Sequence, residues 1–182
     1  ALGEYWKGGG KGYSSIMMIT IGTGVGGGLI INGKPVNGYN GAAAEIGHIP
    51  FADGLDFPCT CGKTGCLEQV ASATGIARMG GKKNAKEVFD AAMAGDKDME
   101  AVVEKVSMYL GKALAIAAGI VDPECFIIGG GVSAAGEYLL EKIRKYYREY
   151  AFHPSRDNKI VKATLGNDAG MYGAARLIYK AD

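Results

Sequence analysis

The chain has 182 residues, of which 48% are hydrophobic and 21% are charged, and its formal net charge is +1. These values are typical of a folded domain, and they exclude global disorder and capture of nucleic acid or anionic lipid by a basic surface. Residues 1–12 lack the features of a signal peptide, and no apolar run is long enough to cross a bilayer. We therefore expect a cytoplasmic protein that binds a small ligand.

Regular structure is predicted first at residues 15–21 and 28–31, which are short runs of branched apolar residues. Because Asn32-Gly33 is a strong hairpin signal, we expect adjacent antiparallel strands here. Apolar spacing then predicts three helices, at 67–79, 86–94 and 99–121.

The second half of the chain alternates between strand and helix patterns. We expect in turn a buried strand, a helix, a strand and a closing helix, at 125–128, 137–151, 160–165 and 168–179. The apolar spacing predicts that the closing helix packs through Met171, Ala174, Ala175 and Ile178. A hairpin followed by alternating helices and strands indicates an α/β protein with a mixed sheet flanked by helices.

Glycine-rich turns follow two of the predicted strands. Gly22, Thr23 and Gly24 begin a G-x-G-x-x-G pattern, but the chain continues into a strand, which argues against a dinucleotide fingerprint. Such a hairpin can still offer backbone N–H groups to phosphate, or it can be a plain tight turn. Gly130 and Gly131 follow the strand at 125–128. They could let a flat adenine lie against the backbone, or they could form a plain turn at the end of the strand.

A metal site is predicted from His48, Cys59, Cys61 and Cys66, which lie within one glycine- and proline-bearing loop. One imidazole and three thiolates suit tetrahedral zinc, and four protein ligands leave no position for catalytic water, so the ion would be structural. The alternative is a set of free thiols with a hydrogen-bonded histidine. Two carboxylates, Glu45 and Glu68, bracket this loop and could accept hydrogen bonds from hydroxyl groups or remain solvated surface charges.

The combination Glu45-x-x-His48, then Cys59-x-Cys61-Gly-x-x-Gly-Cys66-x-Glu68, resembles the signature of the ROK family of sugar kinases and repressors. The glycine motifs at 21–28, 128–132 and 165–170 are similar to further motifs of that family in the same order. The resemblance covers essentially the whole chain, and residues 1–6 are similar to bacterial glucokinases.

The resemblance implies one lobe of an actin-like (ribonuclease H-like) ATPase, in which ATP with Mg²⁺ and a hexose meet in a cleft. It implies sugar-hydroxyl ligands at Glu45, His48 and Glu68, with His48 also binding zinc through its other ring nitrogen beside Cys59, Cys61 and Cys66. It further implies that Gly22, Thr23 and Gly24 form a phosphate loop, and that Gly130 and Gly131 contact adenosine.

The chain also departs from the family pattern. The family's catalytic aspartate is expected upstream of Ala1, so no catalytic residue is assigned within the chain. Residues 1–182 are then expected to be a C-terminal lobe with a zinc loop at about 45–68, incomplete without its N-terminal lobe and commonly paired as a homodimer. Residues 42–44 are alanines where family members often carry glycine, which affects details of sugar contact.

The expected function is ATP-dependent phosphorylation of glucose at its 6-hydroxyl. An N-acetylmannosamine or N-acetylglucosamine kinase shares every motif quoted. A sugar-responsive repressor would combine the same lobe with an upstream DNA-binding domain, and without that domain no nucleic-acid partner is expected. A purely structural zinc module leaves the glycine loops unexplained.

Overall fold

A computed structural model describes residues 1–50, 54 and 56–179. Within these residues the chain forms one five-stranded sheet with strands β1 to β5, at Ile16–Ile21, Val25–Ile31, Lys34–Val36, Cys125–Gly129 and Lys159–Lys162. Its helices α1 to α7 span Leu2–Lys7, Glu68–Ala71, Ala73–Gly80, Ala85–Met93, Lys97–Val121, Glu137–Tyr150 and Ala169–Ile178. None of the described helices is long and apolar enough to span a membrane.

The sheet has the strand order β3-β2-β1-β4-β5. Strand β1 pairs antiparallel with β2, and it pairs parallel with β4, which in turn pairs parallel with β5. Because parallel strands end at the same edge of a sheet, the glycine turns after β1 and β4 lie next to each other. The predicted mixed sheet is therefore confirmed.

The two faces of the sheet are covered differently. Odd-numbered residues of β1 face the main core, which α2 to α6 cover, and this core includes Val103, Leu114 and Ile143. Even-numbered residues face a smaller cluster in which Ile16 and Met18 pack against Leu2 and Tyr5 of α1. Alternation along the strand thus separates a thick helical layer from a thinly covered face.

One helix prediction needs correction, and one helix was not predicted. The predicted helix at 67–79 is broken at Ser72, whose extended backbone separates α2 from α3. The Ser72 hydroxyl accepts a hydrogen bond from the Gly75 N–H at 3.1 Å, so a helix cap replaces the expected helical turn. The short helix α1 was not predicted at all.

The predicted packing face of the closing helix was wrong. Met171 and Ile178 remain 67% and 84% exposed, and Ala174 and Ala175 are also exposed. Helix α7 instead packs against α1. A methyl group at Gly3 would meet the backbone nitrogen of Gly173 at 3.1 Å, and the Trp6 and Tyr172 rings stack edge to face with centroids 6.4 Å apart. Small residues, not the apolar stripe, set this contact.

Candidate functional site

The turn between β1 and β2 presents free backbone donors. Gly22 donates its N–H to the Gly24 carbonyl at 2.9 Å, and its own carbonyl accepts from the Ala73 N–H at 2.7 Å, which fixes the turn to α3. The N–H groups of Thr23 and Gly24 donate no hydrogen bond to any other described residue. Unpaired N–H groups in successive residues suit an anion.

Glu68 is held against this turn. Its Oε2 accepts the Val25 N–H at 3.1 Å, and a methyl group at Gly24 would collide with the same carboxylate. Glycine at position 24 therefore leaves room for the carboxylate of Glu68, the first residue of α2, to reach the start of β2.

Glu45 precedes a 3-10 turn at Ile46–His48, of which His48 is the last residue, and this turn packs directly against β2. Methyl groups at Gly27 and Gly47 would collide with the backbone of Ala44 and Val25, so these glycines allow the close approach. Ala44 has a φ of 66°, in the left-handed region that glycine adopts more readily. Ala44, one of the alanines found where family members often carry glycine, therefore has a strained backbone conformation.

These segments line a cavity of about 420 Å³ that is open to solvent at the carboxyl end of β1. It brings together the three predicted sugar ligands and the glycine turns, and its lining consists of Thr20, Gly22, Gly24, Val25, Gly26, Glu45, His48, Glu68 and Gly130. Thr23 does not line it. The side chains of Glu45 and His48 from one segment and of Glu68 from another thus converge beside the free backbone N–H of Gly24.

The four predicted metal ligands also converge. Their donor atoms all lie within 4.8 Å of one another. Cys59 Sγ is 3.6 Å from His48 Nδ1, and Cys61 Sγ is 3.5 Å from Cys66 Sγ, which is far beyond a disulfide bond length. Ligands at tetrahedral zinc distances are separated by similar spacings, so the donor set fits zinc.

Local backbone structure shapes this cluster. The Cys59 N–H donates to the Lys63 carbonyl at 2.8 Å, which closes a tight turn around Cys61. A hydrogen bond from the Cys61 backbone lowers the pKa of Cys59 to about 6, whereas burial raises the pKa of Cys66 to about 12. The Nδ1 atom of His48 faces Cys59, which leaves Nε2 as the ring nitrogen available to the cavity.

A larger cavity of about 880 Å³ lies beside the first one, over the thinly covered face of the sheet. Gly130 and Gly131, the predicted adenosine contacts, line it together with Lys162, Thr164 and Asn167. Gly130 has a φ of 81°, and a methyl group there would meet the Ile21 backbone nitrogen at 2.7 Å. The two cavities share the lining residues Thr20 and Gly130.

Sequence reasoning missed Glu4, whose carboxylate shapes the larger cavity. Glu4 is fully buried, and it accepts N–H groups from Gly9 at 2.8 Å, from Thr164 at 3.0 Å and from Leu165 at 2.8 Å. Among the described residues no Lys, Arg or His side chain forms an ion pair with Glu4. The sequence offered one indication of this role, namely a carboxylate a few residues before the glycines at 8–10. This segment had been considered only for its similarity to bacterial glucokinases.

Comparison with known proteins identifies relatives over almost the whole chain. The chain is 46% identical to a glucokinase of Halalkalibacterium halodurans, over 98% of this chain and 60% of the relative. It is 34% identical to an N-acetyl-D-glucosamine kinase of Salmonella paratyphi B, over 97% of this chain and 63% of the relative. The chain thus spans less than two thirds of the length of both relatives.

The fold is also similar to that of solved structures. A ROK family glucokinase from Streptomyces griseus in complex with glucose and AMPPNP superposes with a TM-score of 0.86. Its sequence is 36% identical, and the match covers 97% of this chain and 64% of that one. The sheet flanked by helices is therefore that of the ROK sugar kinases. Since the ROK family profile also matches residues 1–181, this chain belongs to the ROK family.

Proposed function

We propose that this chain is part of a kinase that transfers the terminal phosphate of ATP to the 6-hydroxyl of glucose. The observation that carries the proposal is the convergence of Glu45, His48 and Glu68 on one cavity beside the free N–H groups of the β1–β2 turn. A neutral polyol needs acceptors for its hydroxyl groups, and a nucleotide needs donors for its phosphates. The geometry offers both within one continuous space, and glucokinases among the relatives support the choice of sugar.

Sugar binding is assigned to three side chains. The carboxylates of Glu45 and Glu68 accept hydrogen bonds from sugar hydroxyls, and His48 contributes Nε2. The Val25 N–H donates to Oε2 of Glu68 and favours one orientation of this carboxylate. Acceptors held in one orientation can bind hydroxyl groups at defined positions with little loss of side-chain entropy.

Zinc is assigned to His48, Cys59, Cys61 and Cys66, as a structural ion. When bound, it fixes the tautomer and direction of the His48 ring and stiffens the segment between Glu45 and Glu68. The fit of the donor atoms supports this assignment.

Nucleotide binding is assigned to the backbone of Gly22, Thr23 and Gly24 for the phosphates, and to Gly130 and Gly131 for adenosine. Mg²⁺ bound with ATP is part of this proposal, and it would supply the charge neutralisation on which phosphoryl transfer depends.

No general base is assigned within the chain, and we propose that an N-terminal lobe supplies it. The lengths of the relatives support this proposal, since the chain spans 60% of the H. halodurans glucokinase. Pairing with a second copy stays a prediction.

The direct test is ATP-dependent phosphorylation by the purified chain of glucose, mannose, N-acetylglucosamine and N-acetylmannosamine, with zinc measured on the same sample. We expect bound zinc, glucose binding and no turnover. Turnover would show that a base lies within the chain and would overturn the two-lobe assignment. Preferential binding of an N-acetylated sugar would favour the hexosamine kinase, which the Salmonella relative supports.

A further inference from the structure

Thr20 is unusual among the residues of β1. It is the exposed residue of a strand whose other members are all buried. Because side chains alternate along a strand, Thr20 lies on the same face as Ile16 and Met18. Those two side chains pack beneath α1, whereas Thr20 lies beyond that cover, at the carboxyl end of the strand.

Thr20 lies where the two cavities meet. It lines both the cavity of about 420 Å³ and the cavity of about 880 Å³, and the other residue that lines both is Gly130. Since glycine has no side chain, Thr20 is the residue whose side chain lines both cavities. In the proposed kinase this junction is where the sugar hydroxyl meets the phosphate chain.

The Thr20 hydroxyl makes only a weak hydrogen bond to the protein. It donates to the Gly26 carbonyl at 3.4 Å, which is long for an O–H donor. A methyl group at Gly26 would lie 3.0 Å from Thr20 Oγ1, so the glycine keeps the hydroxyl uncovered. Thr23, which the motif favoured, lines neither cavity, and its carbonyl accepts the Thr74 hydroxyl at 3.3 Å.

We propose that the Thr20 hydroxyl donates a hydrogen bond to the terminal phosphate of the bound nucleotide. This inference rests on the proposed function, and it adds a side-chain contact to the free backbone donors of Thr23 and Gly24. A hydroxyl at the junction holds the terminal phosphate at the mouth of the sugar cavity.

The test measures binding of adenosine, ADP and AMPPNP with Mg²⁺ to the 182-residue chain by calorimetry, for the wild type, Thr20→Val and Thr20→Ser. Valine keeps the shape and strand preference of threonine without the hydroxyl. We expect Thr20→Val to weaken AMPPNP binding by about 10-fold to 100-fold, the range for a hydrogen bond to a charged group. Adenosine and ADP should bind as in the wild type, and Thr20→Ser should retain most of the AMPPNP affinity.

Two outcomes would overturn the inference alone. AMPPNP binding by Thr20→Val equal to that of the wild type would show that the hydroxyl makes no contact. Equal loss for all three ligands would show that the substitution deforms the cavity. If the wild type binds no adenine nucleotide, the nucleotide assignment of the proposed function fails, and the inference fails with it.

Discussion

The carboxylate of Glu4 lies 2.8 Å from the backbone nitrogen of Leu165, which joins the first helix to the loop before the last helix. The same carboxylate accepts the N–H groups of Gly9 and Thr164. Backbone N–H groups are thus the hydrogen-bond partners of a fully buried carboxylate. Because Thr164 and Asn167 line the larger cavity, this one side chain holds a wall of that cavity in place.

Glu4→Gln should therefore destabilise the protein by about 2 kcal/mol, since hydrogen bonds to a charged acceptor are worth more than neutral ones and the new NH₂ group would face N–H donors. Urea unfolding measures the change. The matched control is Glu149→Gln on the exposed side of α6, which should change the unfolding free energy by no more than about 0.5 kcal/mol. Equal values for the two variants would show that the Glu4 network carries no stability.

Gly24→Ala should weaken glucose binding by about tenfold, because the added methyl group meets the Glu68 carboxylate and displaces it from the Val25 N–H. Calorimetric titration with glucose measures this effect. In Gly119→Ala the methyl group enters open space within α5, so that variant should bind glucose normally and unfold at slightly higher urea. Unchanged glucose affinity in Gly24→Ala would remove Glu68 from the sugar site.

Local patterns predicted much of this molecule. The metal ligands lie within nineteen consecutive positions, so their spacing alone indicated that they could converge. The strands β1 and β4 and the long helix α5 follow clear apolar patterns, and the predicted elements match the structure there. The loop between Glu45 and Glu68 also brings both carboxylates to one cavity, as their positions around the metal motif suggested.

Features set by distant contacts could not be predicted in this way. Helix α1 has six residues, too few to show a helical period, and its partner α7 lies at the other end of the chain. The role of Glu4 depends on backbone donors 160 positions away. A role for Thr20 could not be predicted, because it depends on where the two cavities meet in the folded chain. The sequence instead favoured nearby Thr23, which belongs to the glycine motif.

Glu104 on α5 predicts a pH dependence of stability. Burial raises its pKa, but hydrogen bonds from Lys142, Lys145 and Tyr146 of α6 outweigh burial and lower the pKa to about 2. A carboxylate with a depressed pKa stabilises the folded state above its unfolded pKa, about 4.3, and this contribution is lost as pH falls towards 2.

Glu104→Gln should accordingly cost about 1–2 kcal/mol at pH 7, a value discounted for the partial exposure of the side chain, and less than half of that at pH 3. Urea unfolding at both pH values measures the difference. The control Glu100→Gln removes the i,i+3 pair with Lys97 and should cost no more than about 0.5 kcal/mol at pH 7. A cost for Glu104→Gln that is the same at pH 7 and pH 3 would contradict the pKa assignment.

Cys61→Ala tests the zinc assignment, because Cys61 is the exposed ligand and its replacement leaves no core cavity. The variant should retain no zinc after dialysis, whereas Cys125→Ala, which alters a buried thiol outside the cluster, should retain it. With zinc at about a hundred times its dissociation constant, loss of the ion should lower the unfolding free energy by about 2–3 kcal/mol.

Glucose affinity should fall in the same variant, because the loop that carries Glu45 and Glu68 loosens. Zinc content equal to that of the wild type would remove Cys61 from the ligand set, and lost zinc with unchanged glucose affinity would separate the metal from the sugar site.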